Sequence, residues 1–307
     1  MKRGWKIILN FIVALVILFS LQEQAAFSIP NSLASQTSQL FYQGIENTKT
    51  QNYQQALANF TQVINLKSDL VSAAYSNRCL VHLQLGNNAA ALSDCTAALQ
   101  LNPNNLETYL NGGLAAYRLG NYQEAIEQYQ AVIERNKDDY RAYYNQGLAY
   151  FALEDYPKAL LNYEQALQSS DSSTIQALIY ADKGLTHFFL GNTSQSLADF
   201  DAAIQLNNSN EKLYYNRACV YFHNQNYTEA LNDFTKALQL NSQYAEAYLN
   251  RGLLRHGVGL EQAAIEDLNQ ALQQFQQQNN REGYQKTLAL IENLHQIIAQ
   301  SHRTVVS

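Results

Sequence analysis

The chain reads as all-α, an α-α superhelical solenoid closed by a C-terminal capping helix, and three observations predict it. A pattern of Tyr, small residue, Ala and aromatic returns about every 34 residues, seven times between Thr37 and Gln278. Only 13 Gly and 3 Pro fall within 307 residues, so few positions interrupt a helix. An array of this kind builds one continuous core from contacts between neighbouring repeats, which predicts a single folded domain despite the length.

In chain order, the first thirty residues stand apart from the array. Lys2, Arg3 and Lys6 precede an apolar run from Ile7 to Leu21, broken only by Asn10 and Ser20, and Ala26-Phe27-Ser28 follows as a small-x-small site. That is the layout of a bacterial secretory signal. The run is shorter than the roughly 20 residues of a spanning helix. Continued through Phe27 it would serve as an uncleaved anchor, with membrane contact through residues 7–27. Both outcomes place the repeats on the extracytoplasmic side of a bacterial inner or thylakoid-type membrane. No cysteine follows the run, which argues against a lipoprotein anchor.

The seven repeats occupy 37–70, 72–105, 106–139, 140–173, 177–210, 211–244 and 245–278. Their fourth position reads Leu40, Tyr75, Tyr109, Tyr143, Tyr180, Tyr214 and Tyr248, and their eighth Gly44, Cys79, Gly113, Gly147, Gly184, Ala218 and Gly252. The twentieth is Ala except for Ser196, and the twenty-fourth reads Phe60, Cys95, Tyr129, Tyr163, Phe200, Phe234 and Leu268. These columns resemble the tetratricopeptide repeat, in which two helices pack through small residues at the eighth and twentieth positions. Tyr stands where the family usually has Trp at the fourth position, and only Pro103 supplies the usual proline at the thirty-second. With Asn, Asp or Ser at that corner elsewhere, looser turns are expected. Pro157 falls in the predicted first turn of a second helix, where a missing N–H costs nothing. Ser169–Thr174 adds three residues between the fourth and fifth repeats, as a longer turn or a bend. In the final segment, 279–301, Tyr284, Leu288, Ile291, Leu294, Ile297 and Ile298 mark one apolar face, as a cap over the last repeat requires.

Within the repeats, the seventh and twenty-third positions vary together. Arg78 goes with Asp94, Lys183 with Asp199, Arg217 with Asp233 and Arg251 with Asp267, while neutral residues go with neutral ones. Contact across the helix pair is the simplest cause. Cys79 and Cys95 face each other in the same way, and an oxidising location would allow a disulfide. Both columns are core, however, and buried cysteine packs as a small hydrophobe, so free thiols are expected there and at Cys219.

The concave face lined by first helices is the expected binding surface. Its sixth position reads Tyr42, Asn77, Asn111, Asn145, Asp182, Asn216 and Asn250, and a ladder of amides offers donors and acceptors to an extended peptide backbone. The resemblance extends to the sugar-transferring tetratricopeptide superhelix, whose groove uses such a ladder. Tyr144 and Tyr215 at the fifth position, with Tyr117 and Phe151 at the twelfth, are expected to make the groove aromatic, or else to be core. The family's clamp for chaperone carboxyl termini needs Lys at the fifth position, and no repeat has one.

A formal charge of −6 without a basic stripe argues against nucleic acid. The 6 His are scattered, and no metal-ligand spacing, phosphate loop or nucleophile motif is present, so neither metal, cofactor nor enzyme activity is expected. The function class implied is a non-catalytic scaffold that binds a partner peptide or helix and assists assembly of an extracytoplasmic or membrane-associated complex. The alternative is a noncatalytic regulatory subunit of an envelope secretion or cell-wall enzyme system.

Overall fold

The computed structural model describes residues 33–306. The segment read as a signal or anchor lies outside them, and among the described residues no helix is long and apolar enough to cross a membrane. Those residues form fifteen helices and no strand. Seven pairs follow one another: α1 (Leu33–Lys49) with α2 (Tyr53–Asn65), α3 (Val71–Gln84) with α4 (Asn88–Leu101), α5 (Leu106–Arg118) with α6 (Tyr122–Arg135), and α7 (Tyr140–Ala152) with α8 (Tyr156–Gln168). After them come α9 (Ser173–Phe189) with α10 (Thr193–Leu206), α11 (Glu211–His223) with α12 (Tyr227–Leu240), and α13 (Ala245–Gly257) with α14 (Glu261–Gln277). A last helix, α15 (Arg281–Val306), follows alone.

Each pair closes on the eighth and twenty-fourth columns. A side-chain carbon added to Gly113 would fall 2.5 Å from the Tyr129 ring, and one on Gly147 would fall 2.6 Å from Tyr163. Nothing larger than hydrogen therefore fits, and the rings lie flush against the first helix. Phe60, Tyr129, Tyr163, Phe200 and Phe234 are almost wholly buried as a result. The twentieth-position Ser196 donates its hydroxyl to the Gly184 carbonyl at 2.7 Å, which satisfies a polar atom in an alanine column.

In the second repeat the same two columns carry a disulfide, Cys79–Cys95, with Cα atoms 5.5 Å apart. This corrects the expectation of free thiols. The small-residue and ring positions are already opposed across the helix pair, so two cysteines placed there meet at bonding distance. Cys219 is free and buried, as expected.

The turns are also better defined than the missing prolines suggested. Between the helices of every pair the fifteenth position adopts left-handed backbone: Gln51, Gly86, Gly120, Glu154, Gly191, Gln225 and Gly259. Four glycines take it without a Cβ penalty, while the Gln and Glu residues accept some strain. At the corner between pairs, the side-chain oxygens of Asn102, Asn136, Asn207 and Asn241 accept the N–H two residues on. Asn105, Asp139, Ser172 and Asn210 then cap the next first helix. Asparagine stands in for proline at three of these corners, and at the fourth Asn102 acts beside Pro103.

First helices of successive pairs touch directly, as α1 with α3, α3 with α5, α5 with α7 and α9 with α11, whereas second helices make no comparable contacts with one another. First helices therefore form the tighter, inner layer. The three extra residues before α9 lengthen it to 17 residues, against 13 in α7 and α11. The addition is one more helical turn, in which Ile175 is buried. In α15 the covering face is Tyr284, Thr287, Ile291 and Leu294, while Leu288, expected on that face, is exposed. Gly283 admits the Phe275 ring of α14 as the eighth-position glycines do, and that contact sets the rotation of the cap. Ile297 and Ile298 lie beyond the side chains described.

The disulfide should hold the second pair together. Replacing Cys79 and Cys95 by Ser is expected to lower the unfolding free energy by about 3 kcal/mol, the chain-entropy value for a loop of this length. Thiol titration of the denatured, unreduced protein should find Cys219 alone. Three titrating thiols would show that the pair is not joined.

Candidate partner-binding groove

The inner layer presents the sixth-position side chains in a row, and what each does depends on the repeat before it. Tyr144 donates its hydroxyl to Asp182 at 2.7 Å, and the Asn250 amide donates to the Tyr215 hydroxyl at 2.9 Å. In both cases a fifth-position tyrosine reaches the sixth position of the following repeat. These bonds span α7–α9 and α11–α13, the successive first helices whose backbones do not meet as closely as the others. Where the preceding fifth position is Ser76, Leu110 or Ala181, no tyrosine is available. Asn111 and Asn145 are then half-exposed without a side-chain partner, and the Asn216 amide nitrogen is buried without one. Asn77 turns its amide back to the Ala73 carbonyl at 2.8 Å.

Three of the expected groove residues are therefore interior. Tyr144 is 4%, Tyr215 1% and Asp182 6% exposed, so they tie repeats together and offer no contact surface. Their aromatic bulk faces the core, where Tyr144 packs on Tyr163 and Tyr215 on Phe234. The twelfth-position rings are half-buried at the turn edge. Tyr117 pairs with Tyr122 at 5.4 Å and Phe151 with Tyr156 at 5.5 Å, and Phe189 joins the second pair. Burial pushes the Tyr117 phenol up to about 12 and the Cys219 thiol also up to about 12, so neither ionises near neutral pH.

Asp182 differs from every other rung. Burial pushes its carboxyl up to about 7, against a smaller downward effect of the Tyr144 bond, and no cation faces it. Its surroundings are the phenols of Tyr117, Tyr144 and Tyr163.

On the flank of the groove lie the seventh-position pairs. Arg78–Asp94, Arg217–Asp233 and Arg251–Asp267 are each 2.7 Å apart with two-pronged guanidinium contacts, and Lys183–Asp199 is 3.5 Å apart. Each cation also reaches the twenty-fifth position of the repeat before it: Thr61, Asp201 and Thr235 for the arginines, Glu164 for the lysine. Each lies over its own fourth-position tyrosine ring, at 5.4 Å for Arg78 on Tyr75 and 5.7 Å for Arg251 on Tyr248. The cation thus joins the two helices of its repeat and stitches that repeat to its neighbour. The link to the preceding repeat had no signal in the columns, because the twenty-fifth position is polar throughout whether or not a cation follows.

With that geometry the comparisons agree. Family models described as tetratricopeptide repeat match residues 72–105, 110–174, 177–210 and 211–244, together over half of the chain. The chain belongs to the tetratricopeptide repeat family, whose members are generally non-catalytic modules for protein–protein interaction. Among curated proteins, it is similar to sperm-associated antigen 1 of Rattus norvegicus, 30% identical over 31% of this chain. It is also similar to the human mitochondrial import receptor subunit TOM34, 38% identical over 21% of this chain. The matches span 11% and 21% of those proteins' own lengths. A solved tetratricopeptide repeat protein from Parabacteroides merdae superposes with TM-score 0.67 at 20% identity, covering 83% of this chain and 99% of that one. Pseudomonas aeruginosa pilF superposes with TM-score 0.59 at 19% identity, covering 72% and 98%. At these identities the structures share the fold alone.

The ion pairs are only partly exposed, at 18% for Arg217 and 9% for Asp233, so they should couple more strongly than surface pairs. Arg217→Gln and Asp233→Asn, made singly and together, are expected to show a coupling energy of roughly 1 kcal/mol in denaturant unfolding. Strictly additive effects would mean that the pair sets nothing.

Proposed function

We propose that this protein is a non-catalytic scaffold that holds an extended segment of a partner protein along its inner face, and that it helps assemble a complex on the extracytoplasmic side of a membrane. The observation that carries the reading is the pair of free amides at Asn111 and Asn145. They project from adjacent inner helices, half-exposed, with no hydrogen-bond partner of their own. A carboxamide offers a donor and an acceptor together, which matches the N–H and C=O of an extended chain. Asn216 continues the row beyond Asp182, but its amide nitrogen is buried.

Two features support the location. The basic and apolar start of the chain has the order of an export signal. The Cys79–Cys95 disulfide belongs to oxidising compartments and is rare in the reducing cytosol. A relative named as a mitochondrial import receptor subunit supports a role in holding other chains.

Removing the two free amides should disable binding without disturbing the fold, because neither makes an internal bond. The Asn111→Ala, Asn145→Ala double variant is expected to keep its helicity and melting temperature and to lose at least tenfold in capture of an extracytoplasmic partner from fractionated cells. Equal capture by variant and wild type would move the binding site off the ladder. A cytoplasmic partner would overturn the location.

A further inference from the structure

We propose that Asp182 makes the groove proton-sensitive: in its neutral form it stays buried beside Tyr144 and lets the fourth and fifth repeats close on each other, and in its charged form it loosens that junction and changes the groove's shape. The proposal rests on the groove reading above and adds its regulation. Three observations meet at this place. The α7–α9 junction is one of the two where successive inner helices stand further apart and a single tyrosine bond spans them. The other, α11–α13, uses Asn250 with Tyr215, an amide and a phenol that burial keeps neutral. The junction is also where the array departs from its 34-residue period, with α9 one turn longer and the Ser170 hydroxyl buried without a partner. At the turn end of the same helices, Phe189 packs on Phe151 at 5.6 Å and stacks on Tyr156 at 5.8 Å, a fixed contact about which the rest can tilt.

The surroundings hold no charge that would steady an ionised Asp182. Tyr117 of α5, Tyr144 of α7 and Tyr163 of α8 face it, and burial raises all three phenols, so they stay neutral. On α10, Asp199 is turned to Lys183 and His187, and on α11, Arg217 is turned to Asp233 and Asp201. A buried carboxylate with one hydrogen bond and no cation is costly, so the folded junction prefers the protonated form. The sign follows from linkage. With the folded carboxyl raised to about 7, the native state binds the proton more tightly than the unfolded chain does. Stability at this site is full at low pH and is lost as pH rises toward and through 7.

Asp182→Asn supplies the residue that five other rungs already carry and that cannot ionise. Wild type and this variant are compared by melting temperature and by amide exchange of segments 140–153 and 173–189, each pair at the same pH. The expected result is near-equality at pH 4 and, at pH 8, at least tenfold faster exchange of both segments in wild type with a lower melting temperature. Tyr144→Phe removes the hydrogen bond that favours the carboxylate, so it should move the midpoint of loosening to higher pH. Equal behaviour of wild type and Asp182→Asn at both pH values, or a midpoint unmoved by Tyr144→Phe, would overturn the proposal. Neither readout needs the partner. A failure here leaves the groove reading standing, and unchanged capture by the Asn111, Asn145 variant would remove that reading while leaving the switch.

Discussion

Helix pairs in this chain close where a residue with little or no side chain at the eighth position lets a ring from the twenty-fourth lie against its backbone. Close approach of this kind leaves no slack. Once Gly113 has taken Tyr129, or Gly147 has taken Tyr163, the rotation of both helices is set. The seventh and twenty-third positions then fall opposite each other, and the sixth is turned to the inner face. The ion pairs, the ladder and the disulfide all inherit their geometry from that contact. Cys79 and Cys95 occupy its two halves, so the second repeat is held by a covalent bond where five others use a ring and the seventh uses Leu268.

Much of this was legible because the chain is aligned with itself seven times over. The helix pairs, the opposed seventh and twenty-third columns and the final cap follow from columns whose chemistry changes together. What was not legible lies between columns of different repeats. Tyr144 and Tyr215 read as groove aromatics by position, yet each reaches forward to a rung of the next repeat and is buried there. A single-repeat register cannot show that, since it depends on the spacing between neighbouring inner helices. The left-handed residue at the fifteenth position was hidden for a different reason. Gly86, Gly120, Gly191 and Gly259 announce it, but Gln51, Glu154 and Gln225 break the column, and the fold imposes the conformation on them. Leu288 was assigned to the cap's buried face by apolarity alone, whereas the Gly283–Phe275 contact rotates α15 to place Thr287 there.

The ladder is consequently not uniform. Tyrosines at the fifth position consume the rungs at Asp182 and Asn250 for internal bonding, and the repeats with Ser76, Leu110 and Ala181 leave the next rung free. Asn111 and Asn145, on one side of Asp182, are thereby left without internal partners, and on the other side the Asn216 amide nitrogen is buried without one. The same division places the one acidic rung between the two stretches, at the junction where α9 carries an extra turn. The cations on the flank are engaged with their own aspartates and with the preceding repeat, so they tie the array together.

The most direct test of this account is site-specific photocrosslinking in intact cells, with the reactive residue placed at Asn111 or Asn145 on the inner layer and at Glu127 on the exposed side of α6. The account predicts that both inner positions crosslink one and the same extracytoplasmic protein through a short contiguous segment, and that Glu127 does not. Crosslinks from Glu127 with silence from the inner positions would contradict it.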